Sequence, residues 1–92
     1  MWKKTREKPL TNEEIAVLVA LWEACNGSVH AHVPEQAVLS RFKPHFRGLA
    51  RKTLRKLARR PERYVLKHKN RETSYSITMM GIRKLRELGV IT

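Results

Sequence analysis

The sequence predicts a small α+β domain, with a three-helix core, a sheet of two or three strands and a C-terminal helix. Three observations lead there. At 92 residues the chain has the length of one domain, and 41% hydrophobic content supplies a core despite 30% charged residues. The apolar periodicity changes along the chain in the order helix, short strand, helix, helix, two strands, helix. No stretch repeats and none is of low complexity.

Residues 1–10 read as a basic N-terminal arm, with Lys3, Lys4, Arg6 and Lys8 among polar residues and Pro9 blocking a helix; residues 11–92 form the domain. Thr11 and Glu14 have the spacing of a capping box, and Leu10 can staple onto Ile15, so the first helix starts here and runs to about Asn26. Ile15, Leu18, Val19, Trp22 and Cys25 form one apolar stripe of this helix and Val17, Ala20, Leu21 and Ala24 a second. Asn26-Gly27 ends it. Ser28 to Val33 alternates like a short strand, with Val29, Ala31 and Val33 on one side and His30 and His32 on the other. Pro34 and Glu35 suit the first turn of a second helix, whose apolar face is Val38, Leu39 and Phe42. After Lys43-Pro44, a third helix spans about Phe46 to Arg60. Its apolar side is Leu49 or Ala50, Leu54, Leu57 and Ala58, and Arg47, Arg51, Arg55 and Arg59 recur at i+4 on another. Beyond Pro61, the β-prone runs 64–69 and 73–78 flank a hairpin tip at Asn70-Arg71-Glu72, with Tyr75 and Ile77 facing inward. Thr78 caps a last helix with Ile82, Leu85 and Leu88 as its core stripe and Gly89 at its end.

Charge narrows the function. The chain carries 20 Lys and Arg against 8 acids, a net charge of +12, with a sequence pI near 10.8. Residues 41–71 hold 13 of those basic residues and one acid, Glu62, while the remainder is balanced. A general habit of high charge would raise it everywhere; a charge confined to one third of the domain is a directed field suited to a polyanion. Nucleic acid is therefore the expected partner.

The element order, together with two local stretches, resembles the winged helix-turn-helix family, and within it the archaeal and bacterial MarR- or PadR-like regulators. Ala50-Arg51-Lys52-Thr53-Leu54-Arg55-Lys56-Leu57 is similar to the end of a recognition helix. Tyr75-Ser76-Ile77-Thr78-Met79-Met80-Gly81-Ile82 is similar to the family's strand-into-helix junction, aromatic-x-Leu-Thr-x-x-Gly. The likeness spans roughly residues 11 to 90. It departs from the pattern in the longer turn Lys43-Pro44-His45-Phe46 and in Pro61-Glu62-Arg63, which stands where the family has a glycine. The resemblance implies a transcriptional regulator that binds double-stranded DNA. Arg47, Arg51 and Arg55 are the candidates for base edges in the major groove, since an arginine fork bonds guanine O6 and N7. Lys52, Lys56 and Arg59 are candidates for phosphate. Arg71 at the hairpin tip is placed for a minor groove, with Lys67 and Lys69 beside it on the backbone. Two other readings stay open: a winged-helix module for structured RNA, as on a ribosomal particle, and a sequence-indifferent DNA architectural protein.

The second stripe of the first helix, with Trp2, Val90 and Ile91, leads to the expectation of a homodimer. Cys25, His30 and His32 offer three metal ligands at best, and a structural zinc needs four, so no metal or cofactor is expected. His45 and His68 lie within the basic region without a carboxylate partner for acid–base work, and no P-loop or nucleophile set is present, so an enzyme is not expected. Nothing suggests a small-molecule substrate. The lone cysteine and the absence of a signal-peptide core or a long apolar run point to a cytoplasmic protein away from membranes.

Overall fold

In the computed structural model, which describes residues 9–92, helix α1 (Asn12–Ala24) starts at the predicted capping box. Glu14 donates its N–H to Thr11 Oγ1 at 3.1 Å, and Thr11 donates its N–H to Glu14 Oε1 at 2.9 Å, so two helix-end donors are satisfied together. The arm predicted over residues 1–10 lies outside the described residues except for Pro9 and Leu10, and Trp2 lies outside them as well. Val17, Leu18, Ala20, Leu21 and Cys25 are all buried, and α1 packs against three other helices and the sheet. Ile15, Val19 and Trp22 of the first stripe and Ala24 of the second are only half-buried.

Asn26 and Gly27 turn the chain with positive φ values of 53° and 73°. The strand expected over Ser28 to Val33 is shorter and later: β1 is Val33–Pro34 alone. The register explains the difference. Val33 pairs with Tyr75 in antiparallel sense, so Ala31 would face Ile77, the last residue of its partner strand, and Val29 would face the following helix. Val29 and Ala31 instead pack on the core without a ladder, which accounts for their alternation. Pro34, lacking an N–H, sits on this edge strand.

Helix α2 (Glu35–Leu39) is one turn long and buries Val38 and Leu39. The long turn after it contains a 3₁₀ segment, Pro44–Phe46, which leads directly into α3 (Arg47–Arg59). Ala50, Thr53, Leu54 and Leu57 form the inner face of α3, and buried Thr53 donates its hydroxyl to Leu49 O at 2.8 Å. Strands β2 (Val65–Lys69) and β3 (Thr73–Ile77) form the predicted hairpin, paired from Val65 with Ile77 to Lys69 with Thr73. The sheet is antiparallel with order β1-β3-β2. Tyr75 and Ile77 face the core, as does Val65.

Helix α4 (Met79–Glu87) starts at Thr78, whose Oγ1 accepts from Gly81 N–H at 3.1 Å. The Thr78 hydroxyl lies 2.6 Å from the Arg63 carbonyl and 3.1 Å from that of Tyr64, and the Thr78 N–H donates to Tyr64 O. Ile82 and Leu85 join the core, but Leu88, expected there, is 42% exposed because it is the C-cap of α4 and faces away. The result is an α+β domain of four helices and a three-stranded sheet among the described residues, none of whose helices is long and apolar enough to cross a membrane.

Candidate nucleic-acid interface

The outer face of α3 is basic because of the way its inner face is anchored. With Ala50, Leu54 and Leu57 fully buried, a helix of 3.6 residues per turn leaves Arg51, Lys52, Arg55, Lys56 and Arg59 in solvent, and no acid occurs on α3. All five are exposed, as are Lys67, Lys69 and Arg71 of the hairpin. Lys67 and Lys69 share the sheet face of Val65 and Tyr75, the face turned toward the helices, and β2 packs against α3. One helix face and one hairpin thus present eight of the nine predicted site residues from adjoining elements.

The ninth, Arg47, is placed differently. Its Nε donates to Leu39 O at 3.1 Å, which also accepts from the Phe42 N–H, and to Phe42 O at 3.0 Å, so it ties the end of α2 and the turn after it to the start of α3. Helix geometry explains why it leaves the arginine stripe. An i+4 row advances about 40° around the axis at each step, so Arg47 lies about 120° from Arg59 and next to the buried face.

Glu35, at the first turn of α2, lies beside two arginines of the candidate interface. Its Oε1 is 3.7 Å from Arg51 Nε and 3.8 Å from Arg55 Nε. Neither distance is a hydrogen bond, and Glu35 Oε1 is buried without one, as is the hydroxyl of fully buried Tyr75 nearby. Burial and the Glu35 charge both push the Tyr75 phenol above its ordinary range, against the pull of Arg55 and Arg51. Tyr75 stays a neutral phenol at physiological pH.

Arg60 belongs to the fold rather than to the interface. Its guanidinium reaches Glu14 at 3.0 and 3.1 Å, Pro9 O at 3.2 Å and Glu62 at 3.4 Å. Burial pushes the Glu14 carboxyl up, but the Arg60 bond, the Thr11 N–H and the charges of Arg60 and Lys56 outweigh it and hold the group below the usual carboxylate range. Arg41 is likewise turned to Glu23, at 3.5 Å.

On the opposite face of the sheet, His32 stacks on His68 with ring centroids 3.9 Å apart and planes 9° from parallel. His68 Nε2 lies 2.9 Å from Ser76 Oγ. Desolvation and the neighbouring His32 lower the His68 pKa. Stacked rings aim their nitrogens sideways rather than at a common point, and among the described residues no group of three or more His, Cys, Asp or Glu stands together to hold a metal. Cys25 is buried, its thiol 3.9 Å from Ala31 O, and burial raises its pKa against the effect of the Ile77 backbone.

Sequence reasoning missed Glu35 beside the candidate interface and Arg60 as the partner of Glu14. Glu35 looks like a helix-dipole residue, and the step that brings it to α3 is the packing of α2 on α3. The Glu14 to Arg60 contact joins residues 46 apart, beyond the reach of any local pattern. No family model matches the chain, and neither does any curated protein or solved structure.

Proposed function

We propose that this chain is a winged helix-turn-helix protein that binds double-stranded DNA in a sequence-specific manner and regulates transcription. The observation that carries the reading is the two-sided character of α3: one side is fixed in the core by Ala50, Leu54 and Leu57, and the other offers Arg51, Lys52, Arg55, Lys56 and Arg59 on a rigid rod. Thirteen residues make a rod about 20 Å long, and a helix fits a major groove about 12 Å wide. In this arrangement Arg51 and Arg55 read base edges, Lys52, Lys56 and Arg59 hold phosphates, and Lys67, Lys69 and Arg71 bind the flanking backbone or minor groove. Arg47 positions α3 and does not read bases. A regulator of this kind works as a two-fold dimer on half-sites about 34 Å apart. Its contact would use the half-buried residues of α1 together with Val90 and other exposed apolar side chains such as Leu88, Met79 and Met80. A monomer by light scattering at micromolar concentration contradicts the dimer.

The site assignment has its own test. Arg51→Ala or Arg55→Ala should cost about 1 to 3 kcal/mol on a preferred duplex and relax preference there, whereas Lys69→Ala should weaken every duplex alike. Equal losses on preferred and random duplexes for both arginines contradict base reading.

A further inference from the structure

Glu35 stands where a nucleic-acid interface should least tolerate an acid. It is the carboxylate paired with Arg51 and Arg55, the two arginines on which the proposed base reading depends, and its role rests on that reading. Three features of its setting matter. Its side chain is only 14% exposed, so it cannot swing freely into solvent when a ligand arrives. Its Oε1 accepts no hydrogen bond, so the charge there is answered only by the arginines. Both contacts run through Nε, so the two-pronged Nη end of each guanidinium is not the end that Glu35 holds.

Elementary electrostatics gives the consequence. A phosphate touching Arg51 or Arg55 would sit across one guanidinium's width from a fixed carboxylate, inside the Debye length of about 8 Å at physiological salt, and would be repelled. A guanine O6 or N7 is a neutral acceptor and escapes most of that repulsion. Lys52 and Arg59, which have no such counter-charge among the described ion pairs, and Lys56, whose charge acts on Glu14 without forming an ion pair, remain more attractive to phosphate. We propose that Glu35 is a specificity-determining and positioning residue: an internal counter-charge that makes Arg51 and Arg55 poor phosphate binders and thereby reserves them for base edges. It weakens binding to DNA at large and widens the gap between preferred and unrelated duplexes, a case of discrimination achieved through repulsion of the wrong ligand.

Glu35→Gln, which keeps the side chain's size and removes its charge, and Glu35→Asp, which keeps the charge, test this. Each is titrated against a mixed-sequence duplex pool and against the duplex that the unaltered protein enriches from a random library, at several salt concentrations. Glu35→Gln should bind the mixed pool about fivefold more tightly at physiological salt, the factor of roughly one added charge contact. Its log K against log salt slope on that pool should steepen by about one, a readout that a loss of helix stability would not move. Its affinity for the enriched duplex should rise by about twofold or less, so discrimination falls. Glu35→Asp should discriminate like the unaltered protein. Equal changes on both duplexes, or an unchanged salt slope in Glu35→Gln, overturn the role of Glu35 while leaving the DNA-binding reading in place. If the unaltered protein enriches no duplex, both fall together.

Discussion

A methyl group at position 81 would lie 2.5 Å from the Tyr64 carbonyl oxygen and 3.0 Å from Ile77 Cγ1. The first of these is backbone, already fixed by Thr78, and cannot rotate away. Thr78 and Gly81 thus act together, the hydroxyl at hydrogen-bond distance from the Arg63 and Tyr64 carbonyls and the glycine letting α4 approach them. This is the physical content of the Thr-x-x-Gly spacing that the sequence resemblance rests on. Gly81→Ala should destabilise the domain. Overpacking costs about 1 to 3 kcal/mol, and a backbone obstacle places this site at the upper end, ahead of the gain of about 1 kcal/mol from alanine's helix propensity. Urea unfolding checks the sign, and an unchanged midpoint contradicts it. Arg63, in the segment that departs from the family's glycine, takes φ 57° without being one. A left-handed conformation costs a non-glycine residue about 1 kcal/mol, so Arg63→Gly should leave stability unchanged or raise it by a few tenths of that scale. A clear loss would mean that the arginine side chain does something the backbone does not reveal.

Between elements, the Glu14 to Arg60 contact joins the start of α1 to the end of α3. Their side chains are 2% and 12% exposed. Removing the Glu14 charge leaves Arg60 still bonded to Glu62 and to the Pro9 carbonyl, and Glu14→Gln should cost about 1 to 3 kcal/mol. Because the folded Glu14 carboxyl titrates below its ordinary 4.5, its contribution is complete above that value and is lost as pH falls through the lowered folded value. The stability of the unaltered protein should therefore drop over that acid window, and Glu14→Gln should flatten the drop. An equally steep acid limb in the variant contradicts the assignment. The stacked histidines give a second pH dependence. His68 should titrate below 6.5 by NMR, and His32→Ala should move it part of the way back. Since the folded form favours neutral His68, stability should weaken as pH falls from above 6.5 through that lowered value.

Elements whose cause is local are legible in the sequence. The capping box, the hairpin with its tip at Asn70 to Glu72 and the Thr78 cap are such patterns, and the structure contains them where their spacing puts them. The strand around Val33 is shorter than its alternation implies, because alternation records which side is apolar and not whether a partner strand reaches that far. Of the candidate interface, the outward face of α3 follows from its apolar period. Arg47 leaves that face because an i+4 row drifts around the helix, and Glu35 escapes a reading of the sequence because it meets Arg51 and Arg55 only through the packing of α2.

For the whole molecule, a net charge of +12 confined largely to residues 41–71 becomes a field with one origin: the outer side of α3 and the hairpin beside it. Arg41, Arg47 and Arg60 are turned to Glu23, to backbone carbonyls and to Glu14, and the remaining cations of α3 and the hairpin face outward. Such a surface binds any polyanion with a steep salt dependence; what distinguishes a regulator is preference. The most direct test is selection from a random duplex library by the purified protein at about 150 mM salt, with sequencing of the retained DNA. A sequence-specific regulator should enrich one sequence, with half-sites in inverted repeat if two copies bind, and should prefer it over bulk DNA by about a thousandfold or more. Tight binding to every duplex with no enrichment, or capture of the protein by a folded RNA competitor in preference to all of them, would contradict that function.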